Sequence, residues 1–499
     1  MKTLLLGLAV CAAACGDNQP GPADGTVETV PEVVPECHKV DGTVDSFQKS
    51  SDLPPYVAGT LASWDPDGRW FLTGVKTGGV SSYQFERQGL QVIVDRDPTS
   101  PGTIDDDVLF ERSSLVDGTG APYTVIRRVS NLAPDGSLRA ERVVCQGSSC
   151  NVCTAKLVRA THNAGEGDGD HITLAGQLLG ANWGPGYTFN VRVAGTIAYL
   201  IRQDGLHMIE TADPEHPVEL GSWRRAGDGY SNDVKILSAN GKRYAIIADY
   251  PSDVVDVTDP TAAHLVAQIP VEAHTLFTEV RGGKTYAYFG AYDGSCPVFD
   301  VTNPEAPVRL STYQSGASIV HDLMIDDGIA YLNAWEGGFH VVDFTTPTAP
   351  VVVGKWRQTP THTSHSSWAM HVGGRTIALH GEEAYAAHLD IVDVVPSSPS
   401  FMTSIATFKL RDYVSIHNVM AFGNHAYMTY YQDGVRVLDL SDPTNPQQLG
   451  YYNTWDPQAA YTSSGFFEGS VGLDVDQARK LIFVADSPRG LLILRDQTF

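Results

Sequence analysis

From about residue 187 onward, apolar and polar residues alternate in short runs. The runs are separated by Gly, Asp and Asp-Pro or Asn-Pro turns. A period of two over such lengths predicts half-buried β-strands, and the β-branched content excludes a helical solenoid. The runs also repeat. Gly205-Leu-His-Met-Ile-Glu210, Val254-Val-Asp256, Pro297-Val-Phe-Asp300, Phe339-His-Val-Val-Asp343, Leu389-Asp-Ile-Val-Asp393 and Val435-Arg-Val-Leu-Asp439 mark six copies, and Gly490-Leu-Leu-Ile-Leu494 opens a truncated seventh. The prolines that follow the marks, Pro214, Pro260, Pro304, Pro347, Pro396 and Pro443, stand 43 to 49 residues apart. That period fits a four-stranded propeller blade and is too long for a β-helix rung. Each unit parses into a first strand (His321–Ile325), a second (Ile329–Asn333), the Val-Asp strand, and a fourth such as Val218–Trp223. Asp-Pro ends the third strand because Pro has no N–H to continue the ladder. Seven copies close a ring without exposed sheet edges. The expected fold is all-β: a seven-bladed β-propeller over 187–499, preceded by a small antiparallel β domain.

That domain, residues 37–160, does not repeat. Trp70–Thr73, Leu90–Val94 and Tyr123–Ile126 read as strands, and Asp67-Gly68, Asp117-Gly118 and Asp135-Gly136 as turns. Residues 161–186, with Gly165-Glu-Gly-Asp-Gly-Asp170, read as a polar linker. They lack the spaced acids and late Glu of an EF-hand.

The N-terminus changes the expected location. Met1-Lys2 is followed by an apolar run, Leu4–Val10, too short to span a bilayer, and then by Ala12-Ala13-Ala14-Cys15. This segment resembles a bacterial lipoprotein signal, with Ala12 where Leu is usual. The resemblance implies a signal peptide over 1–14 and lipidation at Cys15; ordinary cleavage after Ala14 is the alternative, and Cys11 is a poorer lipid site. Residues 15–36, rich in Pro, Gly and Asp, read as a tether. The implied address is the bacterial cell envelope, on its periplasmic or cell-surface side, with the membrane as partner through the lipid. An oxidising compartment makes Cys37, Cys145, Cys150 and Cys153 disulfide candidates, with three pairings open. Cys150-x-x-Cys153 also has zinc-ligand spacing, but no second such pair accompanies it. Cys296, inside a repeat, is expected as a buried free thiol.

The chain has 499 residues, 42% hydrophobic and 18% charged, with a net charge of −24. Such acidity disfavours nucleic acid as a partner. Cations, neutral ligands and an envelope or extracellular protein remain. On the marks Leu389-Asp-Ile-Val-Asp393 and Val435-Arg-Val-Leu-Asp439, the chain resembles the LVIVD-repeat proteins over roughly 187–496. The resemblance implies an exported propeller and assigns no activity.

No G-x-S-x-G, HExxH, Walker or dinucleotide motif is present, so no catalytic residue is assigned. One constellation stands out. Aligned first strands open on Asn190, Asp233, His274, His321, His365, His417 and then Glu468 or Ser470. The loops between second and third strands, on the same face, carry Asp204, Asp249, Asp293, Glu336, Glu382 or Glu383, Asp433 and Asp486. Imidazoles and carboxylates are ligands for Zn²⁺ or another divalent transition metal. His321, His365, His417 and His274 are the expected metal ligands at the channel mouth, and Asp233, Glu336, Glu382, Asp433 and Glu468 the rim. Blade 5 holds further imidazoles at His362 and His371. The plainer alternative is that each His bonds the neighbouring blade and each Asp forms a turn. Trp223, Trp335, Trp356 and Trp455 offer either a binding surface or packing between blades. The leading expectation is an anchored propeller that binds without catalysis; a metal-dependent hydrolase or oxidoreductase at the channel mouth is the alternative.

Overall fold

The computed structural model describes residues 36–498, apart from 55–58, 74–81, 106, 118, 185, 226–229 and 358–362. Cys15, Cys11 and His362 lie outside the described residues. The chain divides into two compact units, one comprising residues up to Thr161 with Ser463–Phe466, the other His162–Thr462 with Phe467–Phe499.

The first unit is a β-barrel. Eight antiparallel strands pair in order and close, because Leu138–Gln146 pairs with Ser149–Arg159, which also pairs with Gly68–Thr73. Glu36–Asp41 continues the wall along the first half of Ser149–Arg159. Alternation decides what fills it: Trp70, Leu72, Tyr83, Phe85, Val92, Val94, Leu109 and Leu157 form one buried cluster. Two disulfides cross facing strand positions, Cys37–Cys153 and Cys145–Cys150. The zinc alternative for Cys150-x-x-Cys153 fails on geometry. Three residues along a strand span roughly 10 Å and reverse the side-chain face, so each thiol finds a different partner.

The second unit is a propeller of seven sheets. Blades 1 to 6 are consecutive four-stranded meanders. Blade 4, for example, comprises Asp322–Asp326, Ile329–Asn333, Phe339–Asp343 and Val351–Trp356. Each blade packs on the next through apolar side chains, as Tyr288 and Val298 of blade 3 pack with Leu323 and Leu332 of blade 4. The Asp of the repeated mark is structural. Asp256, Asp300, Asp343 and Asp439 each accept the N–H two residues on, at 2.7–3.0 Å. This turn chemistry ends the third strand. Cys296 is buried and free, as expected.

The reading of 161–186 as a linker is corrected. Ile172–Leu178 pairs with Gly490–Asp496 as the fourth strand of blade 7, and Gly169–Asp170 extends blade 6. The seventh copy looked truncated because its outer strand precedes blade 1 in the chain. Burying that edge outweighs the polar character of the segment.

Candidate functional site

Strand register superimposes the blades without appeal to sequence. Asn190 faces Ile201, Asp233 faces Ala248, Thr275 faces Gly290, Asp322 faces Asn333, Ser366 faces Gly381 and Gly472 faces Ala485. One residue earlier stand Phe189, Asn232, His274, His321, His365 and Val471. His417 holds that place in blade 6, where its N–H donates to the Thr429 carbonyl as His321 N–H does to Asn333, both at 2.8 Å. In blades 3 and 5 the His is the extra residue of a β-bulge, between Ala273 and Thr275 and between Ser364 and Ser366. A bulge turns its side chain out of the strand's alternation.

The four imidazoles form a chain along the channel mouth. Ring centroids lie 3.9 Å apart for His274–His321, 4.2 Å for His321–His365 and 4.4 Å for His365–His417. Three of them bond the next blade through Nδ1: His274 to the carbonyl of His321 (2.9 Å), His365 to that of His417 (3.0 Å) and His417 to that of Val471 (2.7 Å). The plainer alternative therefore holds for one nitrogen of each. It does not use the other. A carbonyl at Nδ1 fixes the N–H there and leaves the lone pair on Nε2, the second-sphere arrangement common to metal-bound histidine. Burial holds His274 and His417 down to about 4, and His321 and His365 well below the ordinary imidazole value. All four are neutral at pH 7 and able to donate lone pairs.

These lone pairs meet Glu383. His365 Nε2 lies 3.8 Å from Glu383 Oε2, and His417 Nε2 lies 3.8 Å from Oε1. His365 Nε2 has no hydrogen-bond partner, nor has His321 Nδ1. One ligand atom each from His321, His365 and Glu383 falls within 4.8 Å of the other two. Two ligands each about 2.1 Å from one ion are separated by no more than about 4.2 Å, so modest closure satisfies a metal. Burial pushes the Glu383 carboxyl up to about 7, against the opposing hydrogen bond from Tyr431. The Tyr431 hydroxyl donates to Glu383 Oε1, and its ring packs 4.8 Å from His417.

Two residues past each facing partner stand Gln203, Tyr250, Tyr292, Trp335, Glu383, Tyr431 and Ser487. In blades 3, 4 and 6 an aromatic ring there covers the histidine: Tyr292 on His274 (5.6 Å), Trp335 on His321 (4.6 Å) and Tyr431 on His417. In blade 5 a carboxylate replaces the ring. Among the described residues of this column, Glu383 is the acid.

The expected rim is otherwise consumed by local structure. Asp233 is one residue out of phase with the histidines, and in a strand that step moves a side chain to another layer. It accepts from Asn190 (2.7 Å) and Thr275 (2.9 Å) and pairs with Lys235 (2.5 Å). Asp433 is buried against the Arg411 guanidinium, with Nε at 3.0 Å. Glu336 is exposed and accepts from Ser318. Glu468 is buried and accepts from Trp455 Nε1 at 3.1 Å. Glu382 is buried at the base of the same loop. His371 points outward to Asp326 at 2.8 Å, and His380 bonds Ser364 at 2.9 Å. Of the four tryptophans, Trp223 and Trp455 are buried, Trp356 packs edge-on to His380, and Trp335 stacks on His321. Sequence reasoning left Glu383 as an alternative to Glu382 and missed Tyr431; counting two residues past the facing partner in the second strand finds both.

The family model that describes the LVIVD repeat matches residues 318–357, 374–408 and 415–454. The chain carries LVIVD repeats. These matched LVIVD stretches fall in blades 4, 5 and 6 and include His321, Glu383, His417 and Tyr431; His365 lies just outside them. No curated protein matches the chain. Among solved structures, the LVIVD propeller is similar to the WD40 β-propeller domain of Doa1, at 12% identity and a TM-score of 0.46, over 65% of this chain and 96% of that one.

Proposed function

We propose that this protein is an exported, lipid-anchored propeller that binds a divalent transition-metal ion at its channel mouth. The convergence of His321, His365 and Glu383, with His417 beside them, carries the reading. Neutral imidazoles and a carboxylate sit together in a desolvated site, with nitrogen lone pairs left unused. A dication there satisfies the orphan Nε2 and stabilises the ionised carboxylate. The two disulfides support an oxidising compartment. The signal-like N-terminus supports attachment through Cys15 at the cell envelope, and the recognition role is binding without turnover.

Elemental analysis of the whole purified protein, and titration of the stripped protein with Zn²⁺ or Co²⁺, test the site. One ion per chain is expected, with binding weakened at least about a hundredfold in His365→Ala and Glu383→Gln. Equal affinity in both variants overturns the reading. Radiolabelled palmitate is expected in the wild-type protein and absent from Cys15→Ser; label retained in that variant overturns the anchor.

A further inference from the structure

We propose that Tyr431 fixes Glu383 as a one-oxygen ligand, so that the bound ion keeps an exchangeable position for a small anionic Lewis base. This rests on the metal reading above and adds to it what the metal accepts.

The two oxygens of Glu383 are not equivalent. Oε1 receives the Tyr431 hydroxyl, while Oε2 faces the unpartnered Nε2 of His365. A hydrogen bond to one carboxylate oxygen reduces its donor strength and favours coordination through the other. Tyr431 is firmly held. It is buried, its ring packs on Phe467 at 5.7 Å, and its carbonyl accepts the Ser470 N–H at 3.0 Å. Its backbone is also left-handed, with φ of +30°, and Trp335 at the same place in blade 4 has φ of +34°. Bulky residues adopt that region only where surrounding structure compels it, and such strain gathers at functional sites. Here the two strained residues flank blade 5. One presses its ring on His321; the other orients Glu383.

Three protein ligands define the tight cluster. Structural zinc sites close with four, whereas sites that exchange a ligand keep three and an open position. Size and charge then specify the occupant. The Glu383 and His365 side chains are only 8% and 2% exposed, which admits a few atoms and not a polymer. A dication with one carboxylate retains a net positive charge, which a monoanion cancels.

Azide added to the Co²⁺-loaded whole protein tests the inference through the visible spectrum. A saturable change is expected, with azide affinity about tenfold lower in Tyr431→Phe, where both carboxylate oxygens are free to coordinate. Tyr292→Phe, the equivalent change in blade 3, is expected to leave azide affinity unmoved. A Co²⁺ spectrum that azide does not alter overturns the open position while the metal site stands. Equal azide affinity in Tyr431→Phe and wild type overturns the role of Tyr431. Failure of Co²⁺ to bind overturns the metal reading itself.

Discussion

Blade 5 and its neighbours, blades 4 and 6, share one backbone plan. Each presents a histidine at the start of its first strand and a bulky residue two positions past the facing partner in its second. In blades 4 and 6 that residue is Trp335 or Tyr431, and the histidine lies under a ring. In blade 5 it is Glu383, and His365 is left facing a carboxylate. The pair shows how a repeat acquires chemistry. His365 and His417 keep the scaffold hydrogen bond through Nδ1, and a single substitution in the loop decides what Nε2 meets. Repetition supplies the imidazoles, and departure from repetition supplies the acid that gathers them.

The comparison is sharpest between two acids of the mouth loops. Asp433 is neutralised by Arg411, and Glu383 has no such cation among the described residues that contact it. Asp433→Asn is expected to lower stability by about 3–5 kcal/mol, because it strands a largely buried guanidinium, and to leave metal affinity within about twofold; urea unfolding and Zn²⁺ titration measure the two. Glu383→Tyr makes blade 5 resemble blade 6. It is expected to cost at least about a hundredfold in metal affinity, or about 2.7 kcal/mol, with the fold retained by circular dichroism. A Glu383→Tyr protein that still binds Zn²⁺ tightly would break the comparison outright.

A third experiment contrasts Glu383 with an acid buried for structure alone. Burial pushes Asp486 of blade 7 up to about 6. The unfolded chain loses that proton near the ordinary carboxylate value and the folded chain near 6. The folded state thus binds more protons between them, and stability falls as pH rises through that window. Asp486→Asn is expected to remove about 2–3 kcal/mol of this fall, read from denaturant midpoints at the two ends. Asp322, pushed up to about 6 by burial and by Asp233, contributes with the same sign and is retained as a reference. The smallest effect is expected from Trp335→Phe. It keeps an aromatic ring on His321 and should shift metal affinity by less than about tenfold, below the range for loss of an outer-sphere partner.

Much of this was legible in the chain. Period-two runs and the spacing of Pro214 to Pro443 sufficed for the ring, because blade length is set by local turn chemistry. The four histidines were legible because they recur. Their phase relative to Asp233 was not. The bulges at His274 and His365 insert a residue that pattern-matching cannot place, and a one-residue error exchanges one layer of the channel for another. The rim acids were over-counted because sequence does not reveal which cation each acid meets: Arg411 reaches Asp433 from another loop, and Lys235 turns back on Asp233 within one strand. The closing strand was missed because Ile172–Leu178 carries none of the marks of the repeat. Its place is set by a partner at the far end of the chain.

That closing strand bears on how the molecule is made. Leu174 pairs with Leu494, about 320 residues later in synthesis. Blade 1 waits equally long for its flank, since Val191, Leu200 and Ile209 bury against Phe483 and Ile493 of blade 7. A ribosome that stalls before blade 7 therefore releases a chain with an unpaired strand and an open apolar side, both substrates for proteolysis. Blade 7 acts as a quality checkpoint: only a chain translated through Asp496 can lock the circle.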